Sequence, residues 1–285
     1  MANTIADKLT YLSGTKDAIK QAIIAKGVEV TDTDTFRSYA NKIEAIQSGG
    51  GGTVNIPDGT KFAYSTFTTV PTEIIPYLEA QTDLSSMFYH CQNLQTVPLF
   101  DTSSVTTMEN IFSYCQNLQT VPLFDTSSVT STSYMFNYCE ALQTVPLFDT
   151  RNVNDMRYMF FNCQKILKIP LLETSNVTGM GGMFQACYSL QTIPLLNFSN
   201  VNSVRFTFTD CTSLTNLGGL TGLKLSLDLS SSSKLTVDSV MNVINTAADM
   251  TSSPKTLTLH KNVFNKLSQE QIATATAKGW NIAHW

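Results

Sequence analysis

Between Lys61 and Arg151 the sequence contains no Lys or Arg, while Glu73, Glu79, Asp83, Asp101, Glu109, Asp125, Glu140 and Asp149 all fall in that stretch. A surface without cations cannot neutralise phosphates, so nucleic acid is a poor fit as a partner. Charge is sparse overall. Of 285 residues 14% are charged and 42% apolar, with a net charge of -4, the balance of a folded chain rather than a disordered one. No apolar run approaches the ~18 residues a membrane span needs. The opening MANTIADKLTYL lacks the basic start and long apolar run of a secretory signal peptide. Histidine is confined to His90, His260 and His284, and no G-x-S-x-G, H-E-x-x-H, phosphate-loop or C-x-x-C pattern occurs. Composition thus argues against an enzyme, and no cofactor or metal is expected.

What the chain does have is a period. Its six cysteines stand at 91, 115, 139, 163, 187 and 211, each 24 residues after the last, and Phe at 88, 112, 136, 160, 184 and 208 keeps the same step. Proline follows at 98, 122, 146, 170 and 194. A fixed period of this length marks units that stack because none can bury its apolar face alone. Together with the spacing of Leu118, Val121 and Leu123, which resembles that of leucine-rich repeats, the period makes the expected fold an α/β leucine-rich-repeat solenoid of 24-residue coils, with short parallel strands on one face and helices on the other.

Around this centre the sequence divides further. Residues 1–48 carry helical spacing at Ile5, Leu9 and Leu12, and again at Phe36, Tyr39, Ile43 and Ile46, which predicts a small helical module. Gly49 to Gly52 form a flexible linker. In 53–82, Val54 and Ile56 before Pro57-Asp58-Gly59, with Phe62 and Tyr64 after, predict an opening hairpin that covers the first edge of the stack. Repeats occupy 83–222, and 223–285 reads as α/β capping units. There a helix near Thr236 carries Val240, Val243 and Ile244, a strand surrounds Leu257 and Leu259, and a last helix spans about Ser268 to Lys278.

Within one repeat, Val105, Met108, Ile111, Phe112 and Cys115 lie at helical spacing, which predicts about three helical turns. Leu118, Val121 and Leu123 follow in leucine-rich-repeat spacing and are read as inward-facing strand positions. Their neighbours then face outward. The candidate binding face is accordingly Pro98, Phe100, Pro122, Phe124, Pro146, Phe148, Pro170, Leu172, Pro194 and Leu196. Two readings of the Phe and Leu column stand: an exposed apolar stripe that meets a partner, or a stripe covered by other segments, its rings stabilising the ladder.

Two further columns invite chemistry and have plainer explanations. In-register cysteines point in parallel, which keeps neighbouring Cβ atoms slightly too far apart for disulfides, and free Cys is commonly a small buried hydrophobe. The series Asp101, Asp125, Asp149, Glu173, with Asn197 fifth, resembles a ladder of calcium-type oxygen ligands. Its place just before each expected helix accounts for it without an ion.

Units such as MENIFSYCQNLQTVPLFDTSSVT and MRYMFFNCQKILKIPLLETSNVT resemble BspA-like leucine-rich repeats over about residues 83–217. Ile111 and Thr207 replace the Met before Phe, and the sixth unit lacks its Pro. The head DKLTYLSGTKDAIKQAIIAKGVEVTDTDTFRSYANKI and the tail LTVDSVMNVINTAADM resemble terminal modules of phage tail or fiber proteins. The resemblance implies a virion structural protein that displays its repeats for host-surface attachment or protein–protein interaction. Residues 1–48 would contact other virion proteins. A host cell-surface protein or glycan is the implied ligand, homo-oligomers are common among fiber-like proteins, and membrane insertion is not expected. A purely structural decoration or connector protein, or a bacterial surface adhesin, are the alternatives.

Overall fold

The computed structural model describes Ile56 and residues 59–285. The expected helical module, the glycine linker, and Val54, Pro57 and Asp58 of the expected hairpin lie outside the described residues.

Each repeat makes one coil, and successive coils sit in register one repeat apart. A column of parallel bridges joins Asp83, Thr107, Ser131, Asp155, Gly179 and Ser203 in turn. On another side of the coil, pairing broadens into two-residue parallel strands: β1 (Thr192–Ile193), β2 (Leu196–Asn197), β3 (Asn216–Leu217) and β4 (Leu220–Thr221), with β1 on β3 and β2 on β4. Pro98, Pro122, Pro146, Pro170 and Pro194 each remove one amide from their coils, and Pro194 separates β1 from β2.

The three-turn helix expected from Val105 to Cys115 does not form, and no helix occurs in the described repeats between Asp83 and Leu225. Two tight turns take its place. Asn110 and Tyr114 have φ of 55° and 63°, and Tyr134, Tyr138, Tyr158, Asn162, Gly182 and Ala186 repeat this left-handed backbone in later coils. Amides then alternate in direction. Those of Ile111, Ser113 and Cys115 donate within the coil to Met108, Asn110 and Phe112, at 3.3, 3.0 and 3.0 Å. Those of Met108, Asn110, Phe112 and Tyr114 donate to Ser131, Ser133, Met135 and Asn137 of the next coil, at 3.1, 3.0, 3.1 and 2.7 Å. A helix would have used the same amides internally. Apolar spacing of three, four and seven residues fits both arrangements, so it could not separate them.

The turns aim their side chains into one continuous core. Phe88, Phe112, Phe136, Phe160, Phe184 and Phe208 stack at 5.7–5.9 Å between centroids, with ring planes within 15° of parallel. In the second coil Val105, Met108, Ile111, Phe112, Cys115, Leu118, Val121 and Phe124 are all buried. Burial contributes about 1.5–3 kcal/mol for each large apolar side chain.

Both ends of the stack are built differently from its middle. At the first, Phe62 stacks on Phe88 at 6.3 Å, and the amides of Phe62 and Tyr64 donate to Met87 and Tyr89 at 2.8 and 2.7 Å. Among the described residues the segment from Phe62 pairs with the first repeat as a partial coil, followed by a 3-10 turn (Thr72–Ile74) and α1 (Ile75–Glu79). At the other end come β5 (Leu227–Leu229), α2 (Val237–Thr246), β6 (Lys255–Leu259), α3 (Lys261–Phe264), α4 (Gln269–Ala277) and β7 (Trp280–His284). Thr236 caps α2 by accepting the Ser239 amide at 3.1 Å, and Ser268 and Gln271 form a reciprocal capping box on α4. Strands β5, β6 and β7 form one parallel sheet in that order.

Candidate interaction face

In the segment from Leu118 to Thr126, Leu118 and Val121 face inward and Thr120 and Pro122 outward as expected, but Leu123 and Phe124 exchange places, so the phenylalanine column is the covered one. Phe100, Phe124, Phe148, Leu172 and Leu196 are buried, none more than 4% exposed. The residue before each is the exposed one: Leu99 at 66%, Leu123 at 59%, Leu147 and Leu171 at 62% and Leu195 at 47%. The cause lies in the proline. Pro122 lacks an amide, and the Phe124 amide donates to the Pro122 carbonyl at 3.0 Å, closing a three-residue turn around Leu123. Phe148 bonds Pro146 in the same way at 3.0 Å. Two-residue alternation therefore slips by one, and the inward positions become Val121 and Phe124. Phe124 and Phe148 stack on Phe112 and Phe136, each at 6.3 Å, so they widen the core.

Pro98, Pro122, Pro146, Pro170 and Pro194 stay half-exposed beside the leucines. Over the later coils Leu147, Leu171 and Leu195 line a groove of about 700 Å³, with Asp149 and Glu173 on its margin.

The acidic column borders this row. Asp101, Asp125 and Glu173 each accept, from the residue two positions on, an amide hydrogen bond of 2.9 Å, and Asp149 accepts one of 3.2 Å from Arg151. Asn197 does the same for Ser199 at 2.9 Å. These are side-chain turns, not caps of helices. Hydrogen bonds from Ser103, Ser127 and Ser175 hold Asp101, Asp125 and Glu173 below the usual carboxylate range, and the Arg151 side chain does so for Asp149. Buried Thr102, Thr126, Thr150 and Thr174 donate across to the next coil at 2.8–3.0 Å, which keeps the acidic column in line.

The cysteines lie in the interior, away from this face. The thiols of Cys115, Cys139, Cys163, Cys187 and Cys211 each donate to the carbonyl of the Phe 27 residues earlier, at 3.0–3.1 Å, and all six cysteines are free and buried. Burial pushes these five thiols well above their ordinary range. Among the described residues no three His, Cys, Asp or Glu converge as metal ligands would.

One surface escaped the sequence reading. Tyr64, His90, Tyr114 and Tyr138 stack in a second aromatic column at 4.9, 4.7 and 4.6 Å. Three of these four residues immediately precede a cysteine of the repeat, the signal that would have found them.

Comparison with known proteins bears on the repeats. No curated protein matches the chain. A leucine-rich repeat protein of T. pallidum (TpLRR) is 18% identical, covering 56% of this chain and 74% of its own, with a TM-score of 0.43. A leucine-rich repeat protein from Bacteroides ovatus ATCC 8483 is 17% identical, covering 79% of this chain and 67% of its own, with a TM-score of 0.35. No helix among the described residues is long and apolar enough to cross a membrane. Residues 82–168 and 143–222 match the BspA-like family described as "Mycoplasma protein of unknown function, DUF285", and the repeat stack is similar to that family.

Proposed function

We propose that the repeat stack is a protein-docking platform whose contact surface is the exposed leucine row Leu99, Leu123, Leu147, Leu171 and Leu195. The observation that carries this reading is the alignment of five large aliphatic side chains, 47–66% exposed, on one face at the 24-residue step. Scattered exposed leucines need no explanation, whereas a contiguous row marks an interaction surface. Carboxylates along one margin add a preference. The fitting partner is an extended protein segment with aliphatic residues for the row and Lys or Arg for Asp101, Asp125 and Glu173.

Selection of a displayed peptide library against the whole chain tests this. Binders should combine aliphatic and basic residues. The triple variant Leu123→Ser, Leu147→Ser, Leu171→Ser should weaken them at least about tenfold, the scale of losing a few exposed apolar contacts. Binders that hold the folded variant equally well would contradict the reading.

A narrower form rests on the resemblance of the head and tail segments to phage proteins. In it, residues 1–48 tether the platform to a particle, and the leucine row meets a host-surface protein. Removing residues 1–48 should then abolish incorporation into particles. Continued incorporation would refute the tether.

A further inference from the structure

Coil stacking gives the leucine row a fixed step. Tyr64, His90, Tyr114 and Tyr138 stack at 4.9, 4.7 and 4.6 Å from one coil to the next, close to the spacing of neighbouring strands, about 4.8 Å. Ties between coils hold the same step beside the leucines. The Gln119 and Gln143 amides donate one coil back, to Gln95 and Gln119, at 3.1 and 3.0 Å. The Thr126 and Thr150 hydroxyls donate one coil forward, to the Asp149 and Glu173 carbonyls, at 2.8 Å each. Leu123 and Leu147 each lie between two such ties.

A segment lying along the row must match that step. Same-side residues of a β-strand are about 6.8 Å apart, which overshoots one coil and falls short of two. A helical turn advances about 5.4 Å, so its contacts run ahead by about half a coil over the five leucines. Three residues of polyproline II advance about 9.3 Å, against about 9.6 Å for two coils. That mismatch stays below about 1 Å along the whole row. Backbone chemistry selects the same occupant. The backbone on both flanks of the row is tied to neighbouring coils, so the row presents side chains rather than a strand edge. A strand would leave its own amides and carbonyls without ladder partners there, whereas polyproline II keeps its backbone in water.

We infer that the partner of the leucine row is a polyproline II segment with an aliphatic side chain at every third residue and Lys or Arg at another position of each triplet. This rests on the reading of the row as a docking surface. Three residues per turn give the segment three faces. One meets the leucines. The next faces the carboxylates, where Asp125 and Glu173 stand two coils apart and Asp149 between them is already paired with Arg151 at 2.7 Å. One basic residue per triplet therefore meets both unpaired carboxylates. The third face is open to water and suits proline, which pre-sets the backbone. Reversing the segment exchanges the second and third positions, so one repeating triplet fits in one of the two directions.

Binding of three synthetic peptides to the full chain at physiological salt, read by fluorescence anisotropy, tests this. The first repeats the triplet Leu-Arg-Pro four times. The second has the same composition with its leucines at every second position, and the third spaces them as on a helix, with Ala in place of Pro. The first should bind at least about tenfold more tightly than either other, the scale of a few apolar contacts in register. It should lose that advantage on the Leu123→Ser, Leu147→Ser, Leu171→Ser chain, and the comparison on the parent chain holds whether or not that variant folds. Row-dependent binding of the second or third peptide as tight as the first would overturn the inference and leave the docking reading standing. Failure of the first peptide to bind would also overturn it, and the library selection then decides the docking reading separately.

Discussion

The thiol of Cys139 donates to the carbonyl oxygen of Phe112 in the preceding coil at 3.1 Å. That bond sits between the cysteine seam and the stacked phenylalanines, and it gives the cysteines a structural role with measurable consequences. All six thiols are buried, so a thiol reagent should label almost none of them in the native chain and all six after denaturation. Rapid native labelling would show the seam to be open.

The same thiols set the alkaline limit of stability. Desolvation raises the folded values of Cys115, Cys139, Cys163, Cys187 and Cys211, while an unfolded thiol titrates near ~8.5. The folded chain therefore holds more protons above that pH, and stability should fall as pH rises. Their contribution is complete below ~8.5 and shrinks through alkaline pH, with a slope of at most about 1.4 kcal/mol per pH unit for each thiol. Melting temperatures from pH 7 upward should decline, and less steeply in Cys139→Ala. A flat profile would contradict the assignment.

The carboxylate column works in the opposite direction. Asp125 is held below its usual range by Ser127, so its contribution is present above the unfolded value of about 3.9 and is lost as pH falls through the folded one. Asp125→Asn keeps an acceptor for the Ser127 amide and should show a weaker loss of melting temperature in acid than the parent. Asp125→Ala removes the acceptor and should melt lower at neutral pH. Equal melting of all three would deny the turn any role.

Neighbouring residues in the sequence should respond in opposite ways to truncation. Phe124 is 2% exposed and Leu123 59%. Urea unfolding should show Phe124→Ala destabilised by about 3–5 kcal/mol and Leu123→Ser changed by no more than ~0.5 kcal/mol. The reverse order would restore the outward phenylalanine that the sequence had led us to expect.

Gly182 tests the left-handed turns. Its φ is +66°, and a Cβ there would run into the Tyr158 ring. Gly182→Ala should lower stability by about 1–2 kcal/mol from backbone conformation alone, and more while Tyr158 is present. Combining it with Tyr158→Ala should recover the steric part, which a double-mutant cycle reads directly.

Particular residues show what was legible beforehand. The period was plain from the cysteines, and α2 was legible from the spacing of Val240, Val243 and Ile244, because an amphipathic stripe is a local signal. The turns around Asn110 and Tyr114 were not legible, since their apolar spacing is also that of a helix and the deciding factor is hydrogen bonding to the next coil. The leucine and phenylalanine positions were inverted for a comparable reason. Strict alternation assumes an amide at every residue, and Pro122 lacks one. His90, Tyr114 and Tyr138 of the second aromatic column were legible in principle at the position before the cysteines, whereas Tyr64 precedes Ser65 and was not.

Hydroxyl-radical footprinting, with and without a selected peptide binder, tests the central claim most directly. In the free chain Leu123, Leu147 and Leu171 should be modified readily while Phe124 and Phe148 are spared, and binding should protect the leucines while leaving Tyr114 and Tyr138 unchanged. Modification of the phenylalanines ahead of the leucines, or protection confined to the tyrosine column, would contradict it.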